Sequence, residues 1–293
     1  MTLIIMEYTY YPGCSLHSSA PAYEHSTQAV MKALGAKLTE LEDWNCCGAT
    51  AYMSIKELTA FTISARNLAI AKKAKKDVVA PCSGCFVGLT KANKYINEFP
   101  DIREKVNKAL SETGLQYDGS INVRHLLDVI INDVGMDKVK KLVKKPLTGL
   151  KVACYYGCQL VRPKTDLDDP EEPKHLEELI TALGATPTYY PMKANCCGGS
   201  IMGTEESIGK RLSKNILDCA VRYGAECMVC PCPLCQMNLD AYQGKINRKY
   251  NKNFKLPILY FTQLIGLAMG LSPKSLGFGT ELVSAENVVK RFS

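Results

Sequence analysis

One cysteine pattern occurs twice in this chain. Asn45-Cys46-Cys47-Gly48 returns as Asn195-Cys196-Cys197-Gly198. Upstream, Tyr10-Tyr11-Pro12-Gly13-Cys14 is echoed by Tyr155-Tyr156-Gly157-Cys158, and downstream Pro81-Cys82-Ser83-Gly84-Cys85 by Pro231-Cys232-Pro233-Leu234-Cys235. There are 31 residues between Cys14 and Cys46 and 37 between Cys158 and Cys196. Cys47 to Cys82 and Cys197 to Cys232 are each separated by 34. Five cysteines repeated at matching gaps require two copies of one structural unit. With 293 residues there is room for two ordinary domains, which we expect at 1–148 and 149–293.

The intervals between the cysteines alternate strand and helix patterns. Expected strands are Glu7–Tyr11, Lys37–Leu41, Asp77–Ala80 and Ile121–Val123, then Lys151–Tyr155, Thr186–Tyr190, Cys227–Cys230 and Ile258–Tyr260. Expected helices include Ala22–Leu34, Ile55–Lys73, Cys85–Tyr95, Asp101–Glu112 and Arg124–Asn132 in the first half. The second half has one ending at Leu183, with Pro173 near its first turn, then Glu205–Tyr223, Cys235–Tyr250, Thr262–Met269 and a short one near Val288. Asp137–Lys145 reads as a charged segment closed by Pro146. Such alternation gives an α/β fold of two pseudo-symmetric, Rossmann-like halves, each a mostly parallel sheet flanked by helices. Every motif cysteine follows an expected strand, so the three cysteine groups of each half should converge at one sheet edge.

Fourteen cysteines need a chemical reason. The chain has no apolar run long enough to span a membrane. Met1–Met6 lacks the basic and small-residue marks of a signal peptide, and Met6 is itself a candidate start. The expected location is therefore the cytoplasm, where disulfides are disfavoured and metal is the usual role of clustered cysteines. A structural zinc site takes four ligands, and each half offers five thiols. An ordinary cubane cluster also takes four. Adjacent cysteines point in different directions, so the Cys-Cys pair suits two metal atoms of a larger iron–sulfur core. Gly48, Gly198 and Gly199 would let backbone approach such a core. Cys154, Cys219, Cys227 and Cys230 have no first-half counterpart and read as buried thiols.

The pattern resembles the CCG cysteine-rich domain, present twice over nearly the whole chain. The pair of domains is similar to the B-type subunits of the CoB–CoM heterodisulfide reductases of methanogenic archaea. That resemblance implies two noncubane 4Fe-4S clusters. Cys14, Cys46, Cys47, Cys82 and Cys85 would hold one, and Cys158, Cys196, Cys197, Cys232 and Cys235 the other. Cys158 is preferred to nearby Cys154 because Tyr-Gly-Cys aligns with Pro-Gly-Cys. The implied activity is reduction of the CoM-S-S-CoB heterodisulfide to coenzyme M and coenzyme B, an oxidoreductase step of methanogenesis. The implied partners are a cubane-cluster subunit (C-type) and a flavin-containing subunit (A-type), with a hydrogenase or formate dehydrogenase as donor. No ferredoxin-type CxxCxxC run is present, so cubane wiring must come from a separate chain. Relatives sharing the domain leave an alternative open: an electron-transfer subunit of a lactate- or glycolate-type oxidoreductase.

A disulfide accepts two electrons whereas iron–sulfur centres deliver one at a time, so two centres suit the task. The implied substrate is anionic at both ends. Arg162, Lys193, Lys210, Arg211 and Lys214 lie near second-half motifs and are candidates to meet it. His17, three residues past Cys14, is a candidate proton donor; His25, His125 and His175 have no cysteine beside them in sequence. Net charge is +7, divided as +4 over residues 1–148 and +3 over the rest. So even a spread permits an anionic ligand and gives no nucleic-acid footprint.

Overall fold

The computed structural model describes residues 6–49, 51–162 and 167–293. The expectation about a signal peptide falls on residues 1–5, outside the described residues. In the first half the order is β1 (Met6–Tyr10), α1 (Gly13–Leu16), α2 (Pro21–Ala33), β2 (Ala36–Glu40), α3 (Ala51–Ile55), α4 (Glu57–Lys72), β3 (Val78–Ala80), α5 (Ser83–Glu98), α6 (Pro100–Ser111) and β4 (Val123–His125). One turn, α7 (Leu126–Asp128), runs into a π-helix at Val129–Gly135 and then α8 (Met136–Leu142). The second half gives β5 (Lys151–Cys154), α9 (His175–Ala182), β6 (Thr186–Thr188), α10 (Glu206–Arg222), β7 (Cys227–Cys230), α11 (Pro233–Ala241), α12 (Gln243–Tyr250), β8 (Ile258–Tyr260), α13 (Phe261–Ala268) and α14 (Glu286–Phe292).

Two four-stranded sheets result, β2-β1-β3-β4 and β6-β5-β7-β8, and every pairing is parallel. The fold is α/β with two halves, as the repeat requires. In each sheet the strand order reverses between the first strand and its third-strand neighbour, β1/β3 and β5/β7. Ligand crevices form at such a point, beyond the carboxyl ends of the strands.

Local departures have identifiable causes. The strand expected at Ile121 begins at Val123, because Ile121 is engaged otherwise. Its carbonyl accepts from Asn93 Nδ2 (2.8 Å) and its N–H donates to the Tyr117 hydroxyl (3.2 Å). The charged segment after Asn132 is helical: Arg124 bridges Asp128 and Asp133, five residues apart, a spacing that suits the wider π turn. Helix α9 starts at His175, where Asp168 accepts from the N–H groups of Lys174 and His175 (2.9 and 2.8 Å).

The halves share a buried seam. Helix α2 of the first packs on α13 of the second, and Ser26 and Thr262 share a hydrogen bond of 2.7 Å there. Tyr23 stacks on Tyr260 with ring centroids 4.2 Å apart. Its hydroxyl donates to the carbonyls of Pro81 (2.9 Å) and Pro231 (3.4 Å), the residues that open the two CxxC turns. Tyr23 is fully buried. Tyr23→Ala should cost about 3–5 kcal/mol, the range for emptying a large aromatic site, and Tyr23→Phe about 1 kcal/mol for the hydrogen bond. Denaturant unfolding of the anaerobic protein checks both.

Two sulfur cages at a shared seam

Each cage is assembled by the same hydrogen bonds. The Tyr11 hydroxyl donates to the Asn45 carbonyl (2.7 Å), and that of Tyr155 to Asn195 (2.6 Å). These bonds pin the Cys-Cys loop to the end of the first strand. Ser64 Oγ donates to the Cys47 carbonyl (2.8 Å), and Ser213 Oγ to that of Cys197 (2.9 Å), which ties the loop to the following long helix. The third cysteine group opens α5 or α11. Cys82 and Cys232 are the extended residues just before these helices, and Cys85 and Cys235 lie in their first turns. A helix N-terminus favours negative charge and lowers thiol pKa values, so both CxxC pairs are placed where thiolates are stabilised.

The sulfurs converge accordingly. Cys47 Sγ and Cys85 Sγ are 3.4 Å apart, and Cys197 Sγ and Cys235 Sγ 3.6 Å. Six of the ten motif thiols are buried: Cys47, Cys82 and Cys85, with Cys197, Cys232 and Cys235. Cys14, Cys46 and Cys196 are exposed and Cys158 half-buried, so each cage has a dry floor and an open rim. All fourteen cysteines are free thiols. Neighbouring thiols shift the acidity of some of them downward. Cys46 and Cys85 lower Cys47, Cys235 and Cys82 lower Cys232, and Cys158 draws Cys196 down to about 6. The proton-holding partners move the other way.

The cages touch. Cys82 of the first half and Cys232 of the second are near enough across the seam to move each other's acidity, Cys82 upward and Cys232 downward. Ser83 Oγ also crosses it, donating to the Pro231 carbonyl (3.3 Å). A cavity of about 40 Å³ opens beside the second cage, lined by Cys158, Cys196, Cys197, Cys232, Cys235 and first-half Ser83, among others.

Glycines hold the space around the sulfurs open. A Cβ at Gly13 would lie 2.8 Å from Cys85 Sγ, and one at Gly157 3.1 Å from Cys235 Sγ. As expected of it, Gly198 brings its backbone to a sulfur, its N–H donating to Cys196 Sγ (3.3 Å), and Gly48 and Gly198 also face helices. Their added Cβ atoms would meet Ile63 on α4 (3.7 Å) and Gly209 on α10 (2.9 Å). Gly199 does face a sulfur, Cys197 Sγ at 3.4 Å, though Leu234 is nearer at 2.9 Å. Among the described residues no three His, Cys, Asp or Glu side chains converge on one ion-sized point. The thiols line a cage, as ligands shared among several irons would. Five thiols, a thiolate-favouring floor and a glycine-cleared gap fit an iron–sulfur core.

The candidate cations stand apart from the cavity lining, which among the described residues holds no lysine or arginine. Arg162 Nε donates to the Pro170 carbonyl (3.1 Å). Lys193 is buried against Glu177 (3.2 Å) and the Pro173 carbonyl (2.6 Å), with its ammonium over the Tyr156 ring. Lys210 pairs with Glu206 and Lys214 with Asp218 along α10, and Arg211 is exposed. His17 sits at the outer rim, 3.2 Å from Glu40 and edge-on to Trp44. Cys154 is fully buried in β5, away from the cavity lining.

His125 belongs to the site although no cysteine is near it in sequence. It is fully buried at the end of β4; Nδ1 accepts from the Leu127 N–H (3.1 Å), and Nε2 has no hydrogen-bond partner among the described residues. Burial lowers its pKa to about 4. It therefore sits as a neutral imidazole at the strand end beside the first CxxC turn. Strand register alone carries a signal for it, since His125 pairs with Ala80 just before Pro81.

The cysteine-rich domain known as CCG matches residues 8–90 and 152–240. The chain is 35% identical to the 8-methylmenaquinol:fumarate reductase membrane anchor subunit of Wolinella succinogenes, over 95% of this chain and 98% of that one. It is 32% identical to the B-type subunit of the ferredoxin:CoB-CoM heterodisulfide reductase of Methanosarcina mazei, over 90% of each. A hypothetical protein from Helicobacter pylori shares the fold, with a TM-score of 0.76 and 16% identity over 95% of this chain and 52% of that one. No helix among the described residues is long and apolar enough to cross a membrane.

Proposed function

The chain belongs to the CCG cysteine-rich domain family, and from that premise we propose that it is the disulfide-reducing subunit of a heterodisulfide reductase-type complex. Its substrate in this reading is CoM-S-S-CoB, cleaved by two electrons and two protons to the two thiols. The observation that supports the reading is the hydrogen bonding across the seam, where the Tyr23 hydroxyl meets the carbonyls of Pro81 and Pro231 and Ser83 donates to Pro231, so that the two CxxC turns lie side by side. Cys14, Cys46, Cys47, Cys82 and Cys85 would hold one noncubane 4Fe-4S cluster, and Cys158, Cys196, Cys197, Cys232 and Cys235 the other. When bound, such clusters supply single electrons and an iron site with affinity for sulfur.

The chain's own residues do the rest. The N-termini of α5 and α11 offset the negative charge of the thiolates. Tyr11 and Tyr155 fix the Cys-Cys loops, while Tyr23 holds the two CxxC turns at a set separation. The buried floors exclude water from the inner sulfurs. Electrons would arrive from a cubane-cluster partner, itself fed by a flavin-containing one in a cytoplasmic complex.

The Wolinella relative favours a second reading, an electron-transfer subunit of a quinol-linked oxidoreductase, beside the lactate- or glycolate-type alternative. Anaerobic analysis should find about eight irons with matching sulfide per chain, the content of two 4Fe-4S centres. With reduced benzyl viologen as donor, the complex should then reduce CoM-S-S-CoB. Four irons or fewer would end the two-cluster reading. Full iron with electron transfer to fumarate or from a quinol, and none to the heterodisulfide, would establish the second.

A further inference from the structure

A larger cavity, of about 400 Å³, opens on the seam between the halves, and its lining holds no cysteine among the described residues. The first half contributes residues 18–22, the turn that opens α2; the second contributes α11, Tyr260 and tail residues 280–282. The cavity is tied to both cages. Ser18 Oγ donates to the Cys14 carbonyl (2.8 Å). Gln236, which follows Cys235 on α11, accepts from the Tyr260 hydroxyl (3.3 Å). The Tyr260 ring stacks on Tyr23, whose hydroxyl meets the carbonyls that open both CxxC turns. Its charge is one-sided. Asp240 and Glu281 line it, and among the described residues no lysine, arginine or histidine does. Both carboxylates are bonded by neutral donors: Asp240 accepts from the N–H groups of Leu282 and Val283 (2.8 and 3.0 Å), Glu281 from Gln263 Nε2 (3.2 Å) and the Gly279 N–H (2.8 Å). Burial, with Glu281 nearby, pushes the Asp240 carboxyl above its ordinary pKa. The rim is apolar, with Met237 46% and Leu282 74% exposed.

We infer that this seam cavity is the docking site of the electron-donating partner, which enters it with a lysine or arginine side chain flanked by apolar ones. This rests on the reading above, in which electrons come from a separate cubane-cluster chain. Three observations select that occupant. A cation complements two carboxylates that the chain itself leaves to neutral donors. Apolar neighbours cover Met237 and Leu282, and the stem of a long basic side chain can lie along them while its charge meets Asp240. The way inward also serves both halves, because the Tyr260–Tyr23 stack leads to the Pro81 and Pro231 carbonyls alike. A single donor feeding two centres needs a position of that kind. The volume, within the range of small-ligand pockets, holds a few side chains and no more.

The test uses the full chain, iron-loaded and anaerobic, with the cubane-cluster chain purified from the same complex. Their affinity is measured by titration calorimetry at rising salt. Turnover of CoM-S-S-CoB is followed with two donors, the partner's reduced clusters and reduced benzyl viologen alone. Native affinity should fall as salt rises. Leu282→Arg puts a repelling charge at the rim and keeps the backbone N–H that Asp240 accepts. Glu281→Gln removes a negative charge at constant size. Each should weaken partner binding by about tenfold or more and slow partner-fed turnover, with iron content and viologen-fed turnover native. Leu58→Arg, at an exposed site on α4 outside the cavity, is the control and should bind as native. Native affinity in Leu282→Arg, an equal loss in Leu58→Arg, or binding indifferent to salt would overturn the inference and leave the two-cluster reading intact. Self-association of the chain that Leu282→Arg abolishes would also overturn it, giving the cavity to a second copy. Native protein without iron or viologen-fed turnover would bring down that reading, and this inference with it.

Discussion

Cys197→Ala is expected to retain iron and lose heterodisulfide cleavage completely. Cys197 is the buried second member of its pair, with its sulfur 3.6 Å from that of Cys235. Its removal leaves Cys158, Cys196, Cys232 and Cys235, and four thiolates are enough for an ordinary cubane. The variant should therefore change cluster type rather than lose its metal, with iron staying near eight per chain on the two-cluster reading. Folding should survive, because Ser213 and Asn238 hold the loop through the Cys197 carbonyl (2.9 and 2.7 Å), which the substitution keeps. Cys154→Ala serves as the control. Its thiol lies in the core, its pKa pushed up by burial, on the strand leading to Cys158. It should leave iron, spectrum and turnover near native. The reverse result, a native Cys197→Ala and an inactive Cys154→Ala, would sink the second-half ligand assignment.

What could be read from the sequence, and what could not, follows from the range of the interactions. The repeat located every motif cysteine after a strand, because parallel α/β units put strand ends on one side whatever their loops contain. Helix breaks set by distant partners were out of reach. The helix expected over Cys235–Tyr250 divides at Tyr242, where Gln243 turns inward to bond the Leu256 carbonyl and N–H (2.7 and 3.1 Å). Nothing within a helical window reveals that pairing. The same limit hid His125, which only the pairing of β4 with β3 brings beside the first CxxC turn. It also hid the glycines that matter most. Cys-Cys-Gly draws the eye to Gly48, Gly198 and Gly199, but not to Gly13 and Gly157, where an added Cβ would crowd Cys85 Sγ and Cys235 Sγ.

Gly13→Ala should accordingly empty the first cage and spare the second. Gly13 adopts φ +73°, where a side chain is strained, and its Cβ would stand 2.8 Å from Cys85 Sγ. Cys85 cannot retreat, because it is buried in the first turn of α5 and packed against Cys47. Iron should fall from about eight to about four per chain, with one cluster signal lost. Gly157→Ala is the mirror case. Its added Cβ would stand 3.1 Å from Cys235 Sγ, so it should deplete the second cage, and less completely. Strain alone is separated by Gly135→Ala. That residue has φ +81° and nothing within 4 Å of an added Cβ, so the variant carries a similar backbone cost, about 1–3 kcal/mol, and touches no sulfur. If Gly135→Ala loses as much iron as Gly13→Ala, backbone strain explains both and the glycine-cleared cage is wrong. If only Gly13→Ala loses it, the space beside Cys85 is what the centre requires.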